Sequence, residues 1–159
     1  MNITERVLRD KGASMVRSME VYSMTAFALF DGFTACWAEK YRGNLIRPVT
    51  YVNKYIDTRW EPMLQTPPFP EHASGHSTIT AAAAEVLTAN FGNVAFVDST
   101  EVPFGWAPRR FASFRDAALE ASVSRLYGGI HYRRGCDAGN EHGTKIGRAV
   151  VQRVQVRTK

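Results

Sequence analysis

Between Ser18 and Arg42 the chain carries Val21, Met24, Phe27, Leu29, Phe30, Phe33, Cys36 and Trp37, apolar side chains on nearly every side of a helix. A helix without a polar face must be surrounded by other elements. The spacing predicts a long, largely buried helix over 18–42. Gly43-Asn44 is a common helix stop, and Pro48 cannot continue the run. The most apolar part, Val21 to Phe30, is about half the ~20 residues that a bilayer requires, and Asp31-Gly32 follow it. A core helix is expected rather than a membrane span. The opening Asn2–Lys11 is polar and lacks the charged-then-apolar architecture of a signal peptide, so the expectation is a soluble, cytoplasmic chain.

The remaining segments read as further helices joined by loops. Residues 4–17 form a weak helix interrupted near Gly12. Residues 44–73 show no periodicity, and prolines at 62, 67, 68 and 70 indicate an ordered loop. A loop of that length inside a compact domain generally carries function. Ile79, Ala82, Ala83, Val86 and Leu87 form one apolar stripe, predicting a helix over 77–91. Ser113-Phe114-Arg115-Asp116 resembles a capping box that opens a helix to about Tyr127, ended by Gly128-Gly129. A last helix is expected from about Asp137 to Val154, with Ile146, Val150 and Val154 in register. Val94–Val97 is the one short strand candidate. The expected fold is all-α, a bundle of about five helices in a single domain, 1–159.

The hydrophobic content of 45% and charged content of 22% are those of an ordinary globular protein. The net charge of +5 suits an anionic ligand. No repeated basic-plus-aromatic pattern favours nucleic acid, and Arg148, Arg153, Arg157 and Lys159 read as a solvated helix face and a tail. Cys36 and Cys136 make no disulfide framework, and no Cys/His spacing suggests a metal cluster.

Three clusters carry chemistry. Ser74-Gly75-His76 lies where a stiff, proline-rich approach meets a helix start, so unpaired N–H groups and the positive dipole end face outward there. Glycine lets an anion approach the main chain, serine adds a donor, and a histidine beside them can move a proton. Lys40 and Arg47 bracket the end of the long helix, about two turns apart. Ser124-Arg125 continues the inner face of its helix, where a guanidinium needs an anionic partner; His131 follows the glycine break. Cations, a helix-N-terminal nest and two histidines together suit a tetrahedral or trigonal-bipyramidal oxyanion.

These clusters, Lys40-x6-Arg47-Pro48, Ala73-Ser74-Gly75-His76 and Ser124-Arg125-x5-His131, resemble the signature of the superfamily that joins type-2 phosphatidic acid phosphatases and vanadium-dependent haloperoxidases. Its pattern is Lys-x6-Arg-Pro, Pro-Ser-Gly-His and Ser-Arg-x5-His-x3-Asp. The resemblance implies that Lys40, Arg47 and Arg125 bind equatorial oxygens of vanadate, or of its isostere phosphate, with the Ser74 hydroxyl and the Gly75 amide. It implies His131 as the vanadium ligand or phosphatase nucleophile, and His76 as general acid/base. Trp37 and Phe69 resemble the halide-side aromatics of the soluble haloperoxidase-like branch. Ala73 stands where proline is usual, and Gly135 where the final aspartate is usual. Either Asp137 replaces that aspartate as the group orienting the histidine, or it caps the last helix. The activity so implied is oxidation of halide by hydrogen peroxide at a histidine-ligated vanadate. Two alternatives are a phosphatase acting on phosphate monoesters through phosphohistidine, and a non-catalytic oxyanion-binding domain. Haloperoxidases of this type carry a further N-terminal helical portion, so a second copy of this chain would be one way to cover its apolar faces.

Overall fold

A computed structural model describes residues 1–154; Arg157 and Lys159 lie outside them. The helices are α1 (Asn2–Asp10), α2 (Met15–Gly43), α3 (Pro48–Tyr55), α4 (Gly75–Phe91), α5 (Phe114–Tyr127) and α6 (Arg133–Arg153). One antiparallel hairpin, β1 (Phe96–Asp98) against β2 (Arg109–Phe111), joins α4 to α5, pairing Phe96 with Phe111. The fold is the expected all-α bundle.

The long helix forms as the sequence predicts. The Ser14 hydroxyl accepts from the Arg17 amide at its start, and Asn44 ends it in the left-handed region at φ 46°. Its burial, however, is one-sided. Val21, Ala28 and Cys36 are buried, while Met19, Phe27, Phe30 and Phe33 are exposed, Phe30 to 69%. The helix at the centre is α4, which packs against α2, α5 and α6. Its small residues explain why: Ser77, Thr78, Ala81, Ala82 and Ala84 let three neighbours approach on different sides, and all are buried. The large rings of α2 take more room and lie outward.

Closest of these approaches is that of α6. Gly135, Gly139, Gly143 and Gly147 recur every four residues and are buried along one face. A Cβ at Gly143 would sit 2.0 Å from the Thr78 carbonyl oxygen, and one at Gly147 would sit 2.5 Å from that of Ala82. Later glycines meet later residues of α4, so α4 and α6 run parallel. In α2, Gly32 lies against Ala82 while the Lys40 ammonium reaches Pro70. In α5, Arg115 pairs with Glu85 while Ser122 reaches Ser77. Both of these helices therefore run antiparallel to α4. The N-termini of α4 and α6 and the C-termini of α2 and α5 share one end of the bundle.

The opposite end holds apolar core: Met24, Ala28, Ala82, Val86 and Val150, with Ile146 and Val154 against them as their register predicts. A second cluster joins Val7, Leu8, Val21, Leu87 and Phe114. Between α4, α5 and α6, buried Glu85 accepts from Arg115 at 2.6 and 3.0 Å and from Arg148 at 3.2 Å. The Arg115 hydrogen bond leads in holding this carboxyl below its ordinary value. Its contribution to stability is thus present above pH ~4.5 and lost as pH falls through the depressed value. Glu85→Gln is expected to cost about 1–3 kcal/mol at pH 7 by urea denaturation, with the difference from wild type shrinking in acid.

Several boundaries differ from expectation: the first helix stops at Asp10, and the long helix already begins at Met15, within the segment 4–17. Residues 48–55, read as loop, are helical because Pro48 occupies the first turn, where its missing N–H is no loss. The last helix begins at Arg133, four residues before Asp137. Strand β1 starts at Phe96, two residues beyond the start of the predicted Val94–Val97.

Candidate oxyanion site

The shared end of the bundle gathers the three sequence clusters. Two helix N-termini point into it, so two positive dipole ends converge. Ser74 is the N-cap of α4: its hydroxyl accepts from the Ser77 amide at 3.4 Å, and its own N–H donates to the Gly135 carbonyl at 2.9 Å. The N–H groups of Gly75 and His76, in the first turn, have no acceptor among the described residues and are free for an anion.

Lys40, in the last turn of α2, is fully buried. Its ammonium donates to the carbonyls of Pro70 and Glu71 at 2.9 and 3.0 Å. It lies 5.8 Å from the Trp37 ring and 5.3 Å from that of Phe69. Burial pushes its pKa down to about 8; Arg47 pushes the same way, while Cys36 and Glu71 oppose. Arg47 directly precedes α3 and is also buried. It donates to the carbonyls of Phe69 (2.9 Å) and Ile130 (2.7 Å), and its Nη1 stands 3.1 Å from His131 Nε2.

His131, in the turn before α6, is buried. Its Nδ1 lies 2.6 Å from Glu71 Oε1, which also accepts from the Tyr132 amide at 3.2 Å. A guanidinium N–H aimed at Nε2 requires a lone pair there, so the ring is neutral with its proton on Nδ1. Burial lowers its pKa below the ordinary value and outweighs the Glu71 hydrogen bond, which acts the other way. The result is a histidine whose basic nitrogen faces the cations.

Arg125, at the end of α5, is half-buried, with its Nε donating to Ser124 Oγ at 3.1 Å. His76 is exposed; partial burial and then the cationic surroundings, Arg125 foremost, lower its pKa. Those mutual influences bring His76 and Arg125 to the same end as Lys40 and His131. Trp37 stacks on Phe33 with ring centres 4.0 Å apart and tilts over Phe69 at 5.0 Å. Its ring lies against Gly75, where a Cβ would stand 3.5 Å from Cζ3. Lys40, Arg47, Ser74 and His131 are buried while His76 is exposed, so entry is past the His76 side. An adjacent groove of about 570 Å³, lined by Leu29, Leu87, Phe114 and Arg125, lies beside this centre rather than in it.

Asp137 is exposed, in the second turn of α6, and neither caps that helix nor reaches His131. The residue on Nδ1 is Glu71, which the sequence reading passed over. Its one signal was an acidic side chain in the loop three residues before Ser74. Cys36 and Cys136 are free and buried. Among the described residues no cluster of His, Cys, Asp and Glu suits a metal ion, and no helix is long and apolar enough to cross a membrane. The ammonium, guanidinium and amide N–H groups gathered here are donors that an oxyanion could accept from.

Residues 20–159 match the family described as the VCPO second helical-bundle domain. The fold resembles the crystal structure of a bacterial vanadium-dependent iodoperoxidase, with TM-score 0.93 and 47% identity over 96% of this chain and 38% of that one. It also resembles a holo-type bacterial vanadium-dependent chloroperoxidase, with TM-score 0.68 and 21% identity over 82% of this chain and 35% of that one. The apo-type chloroperoxidase gives 0.65 and 20%, over 82% and 36%. A comparison with curated proteins finds no match. The chain thus spans little more than a third of the length of the solved relatives. Family match and fold agree with the tripartite pattern, and the chain belongs to the vanadium haloperoxidase family through its second helical-bundle domain.

Proposed function

We propose that this chain carries the vanadate site of a haloperoxidase that oxidises halide with hydrogen peroxide, iodide being the halide named for the 47%-identical relative. The net reaction turns H2O2, I− and H+ into HOI and H2O. One observation carries the reading: a neutral His131, with Nε2 bare except for Arg47, sits where two helix N-termini and buried cations converge.

The residues present fit vanadate. Lys40, Arg47 and Arg125 would balance the charge of its oxygens, with the Ser74 hydroxyl and the Gly75 amide donating as well. His131 Nε2 would hold the metal, which requires Arg47 Nη1 to leave that nitrogen and turn to an oxygen of the anion. Vanadate, when bound, supplies the Lewis acidity that activates peroxide toward halide. His76, kept neutral near pH 7 by its lowered pKa, accepts and returns the proton. Trp37 and Phe69 wall the entry with apolar rings, which favours a soft, weakly hydrated halide.

The direct test is halogenation of a phenol-red-type dye by protein reconstituted with vanadate. Iodination or bromination that needs both vanadate and peroxide supports the proposal. Aryl phosphate hydrolysis without halogenation would replace it with a phosphatase, and anion binding without either turnover would leave a binding domain.

The acidity of Lys40 gives a pH prediction. Affinity for sulfate, a tetrahedral anion of fixed charge, is expected to hold near pH 7. It should fall by up to about tenfold per pH unit above ~8, as the ammonium loses its proton. Lys40→Arg should flatten this limb, because a guanidinium stays charged. Calorimetric titration from pH 7 to 9.5 measures both.

A further inference from the structure

We propose that Glu71 is the positioning residue for His131, and that Gly135 is the space that admits it, so that the two positions work as one unit. This rests on the reading of His131 as the vanadate ligand.

Glu71 is held from both ends. Its amide donates to the Leu45 carbonyl at 2.9 Å, and its carbonyl accepts from Lys40 at 3.0 Å. Its carboxylate bridges the Tyr132 amide and the His131 ring through a single oxygen, Oε1. The other oxygen, Oε2, is buried and has no partner among the described residues. Leaving a buried carboxylate oxygen unpaired works against stability, so this side chain is set for the ring rather than for the fold.

Gly135 differs from the rest of its stripe. At Gly143 and Gly147 the atom nearest to an added Cβ is a backbone carbonyl oxygen of α4, and at Gly139 it is the carbonyl oxygen of the N-cap Ser74, level with Ser77 Cβ at 2.8 Å. At Gly135 all three nearest atoms are the Glu71 carboxylate, with Oε1 at 2.1 Å, Cδ at 2.8 Å and Oε2 at 2.9 Å. Position 135 is also one turn after His131, where a side chain leaning toward the helix start would reach that ring. A carboxylate at 135 and one at 71 would therefore claim the same volume and the same nitrogen. Only one of them fits.

The test uses the 15N shifts of the His131 ring, which read its tautomer directly, together with iodide turnover and phosphate affinity. Wild type should show the proton on Nδ1. Glu71→Ala should move the Nδ1–H resonance upfield and broaden it, because the proton loses its acceptor while Arg47 stays at Nε2, with a loss of about 10- to 100-fold in turnover or anion affinity, the range for groups that orient a ligand. Gly135→Asp alone should lower thermal stability by overpacking. Combined with Glu71→Ala, it should restore the downfield Nδ1–H resonance and recover most of the loss. Glu71→Gln keeps the volume and tests the same point if Glu71→Ala does not fold: the Nδ1 proton resonance should move upfield as the hydrogen bond loses its charge. An unchanged Nδ1–H signature in Glu71→Ala or Glu71→Gln overturns the proposal. A double variant no better than Glu71→Ala does so too. If the Nδ1–H series behaves as stated while wild type oxidises no halide, the positioning pair stands and the proposed activity falls.

Discussion

His131→Ala is expected to remove halide oxidation by at least ~10³-fold while leaving tetrahedral anion binding within about tenfold of wild type. The asymmetry follows from the division of labour at the site. In the proposed site the cations and the helix N-terminus would supply charge to any tetrahedral anion. Nε2 would provide the lone pair that holds the metal, and no other described side chain offers a neutral nitrogen so fixed on both sides, by Glu71 and Arg47. Dye halogenation beside calorimetric binding of phosphate separates the two effects. Equal loss of both would mean that His131 acts as part of the anion cradle and not as the residue that would hold the metal. Retained halogenation would remove the histidine from the reaction.

The second large effect is on folding. Gly143→Ala would place a methyl carbon 2.0 Å from the Thr78 carbonyl oxygen and 2.9 Å from Ala81 Cβ. The first obstacle is backbone, so no rotamer change relieves it, and α6 has to move off α4. Overpacking of this kind costs about 1–3 kcal/mol, and a backbone clash belongs at the top of that range. For a chain of 159 residues that is a fall in Tm of roughly 6–12 °C. Because α6 begins just after His131, anion affinity should fall with stability. Calorimetric melting with and without phosphate measures both, and a melting temperature within 2 °C of wild type would contradict the packing.

Much of the site was legible because it is local. Ser74 at a helix start, Lys40 near a helix end and His131 after a glycine break are each set by a few neighbouring residues and a cap. The relation between Glu71 and His131 is not of that kind. It spans sixty residues and depends on a missing side chain at Gly135, and an absence gives no periodic signal. Asp137 is the carboxylate close in sequence to His131, but it is exposed. The burial of α2 was overestimated for a related reason. A helix apolar all round says that its faces prefer cover, yet α4, richer in alanine and threonine, takes the centre because small side chains let three neighbours come near. Arg133 and Arg134 hid the first turn of α6 by being polar, although an exposed helical turn accepts polar residues freely.

The aromatic wall of the site has water at its back. Phe33 is exposed on its outer side and stacked on Trp37 on its inner side, and the Lys40 ammonium rests beside Trp37 and Phe69. The lowered pKa of that ammonium comes chiefly from burial, so a partner laid over Phe33 would thicken the apolar wall on that side without touching the groups that face the anion.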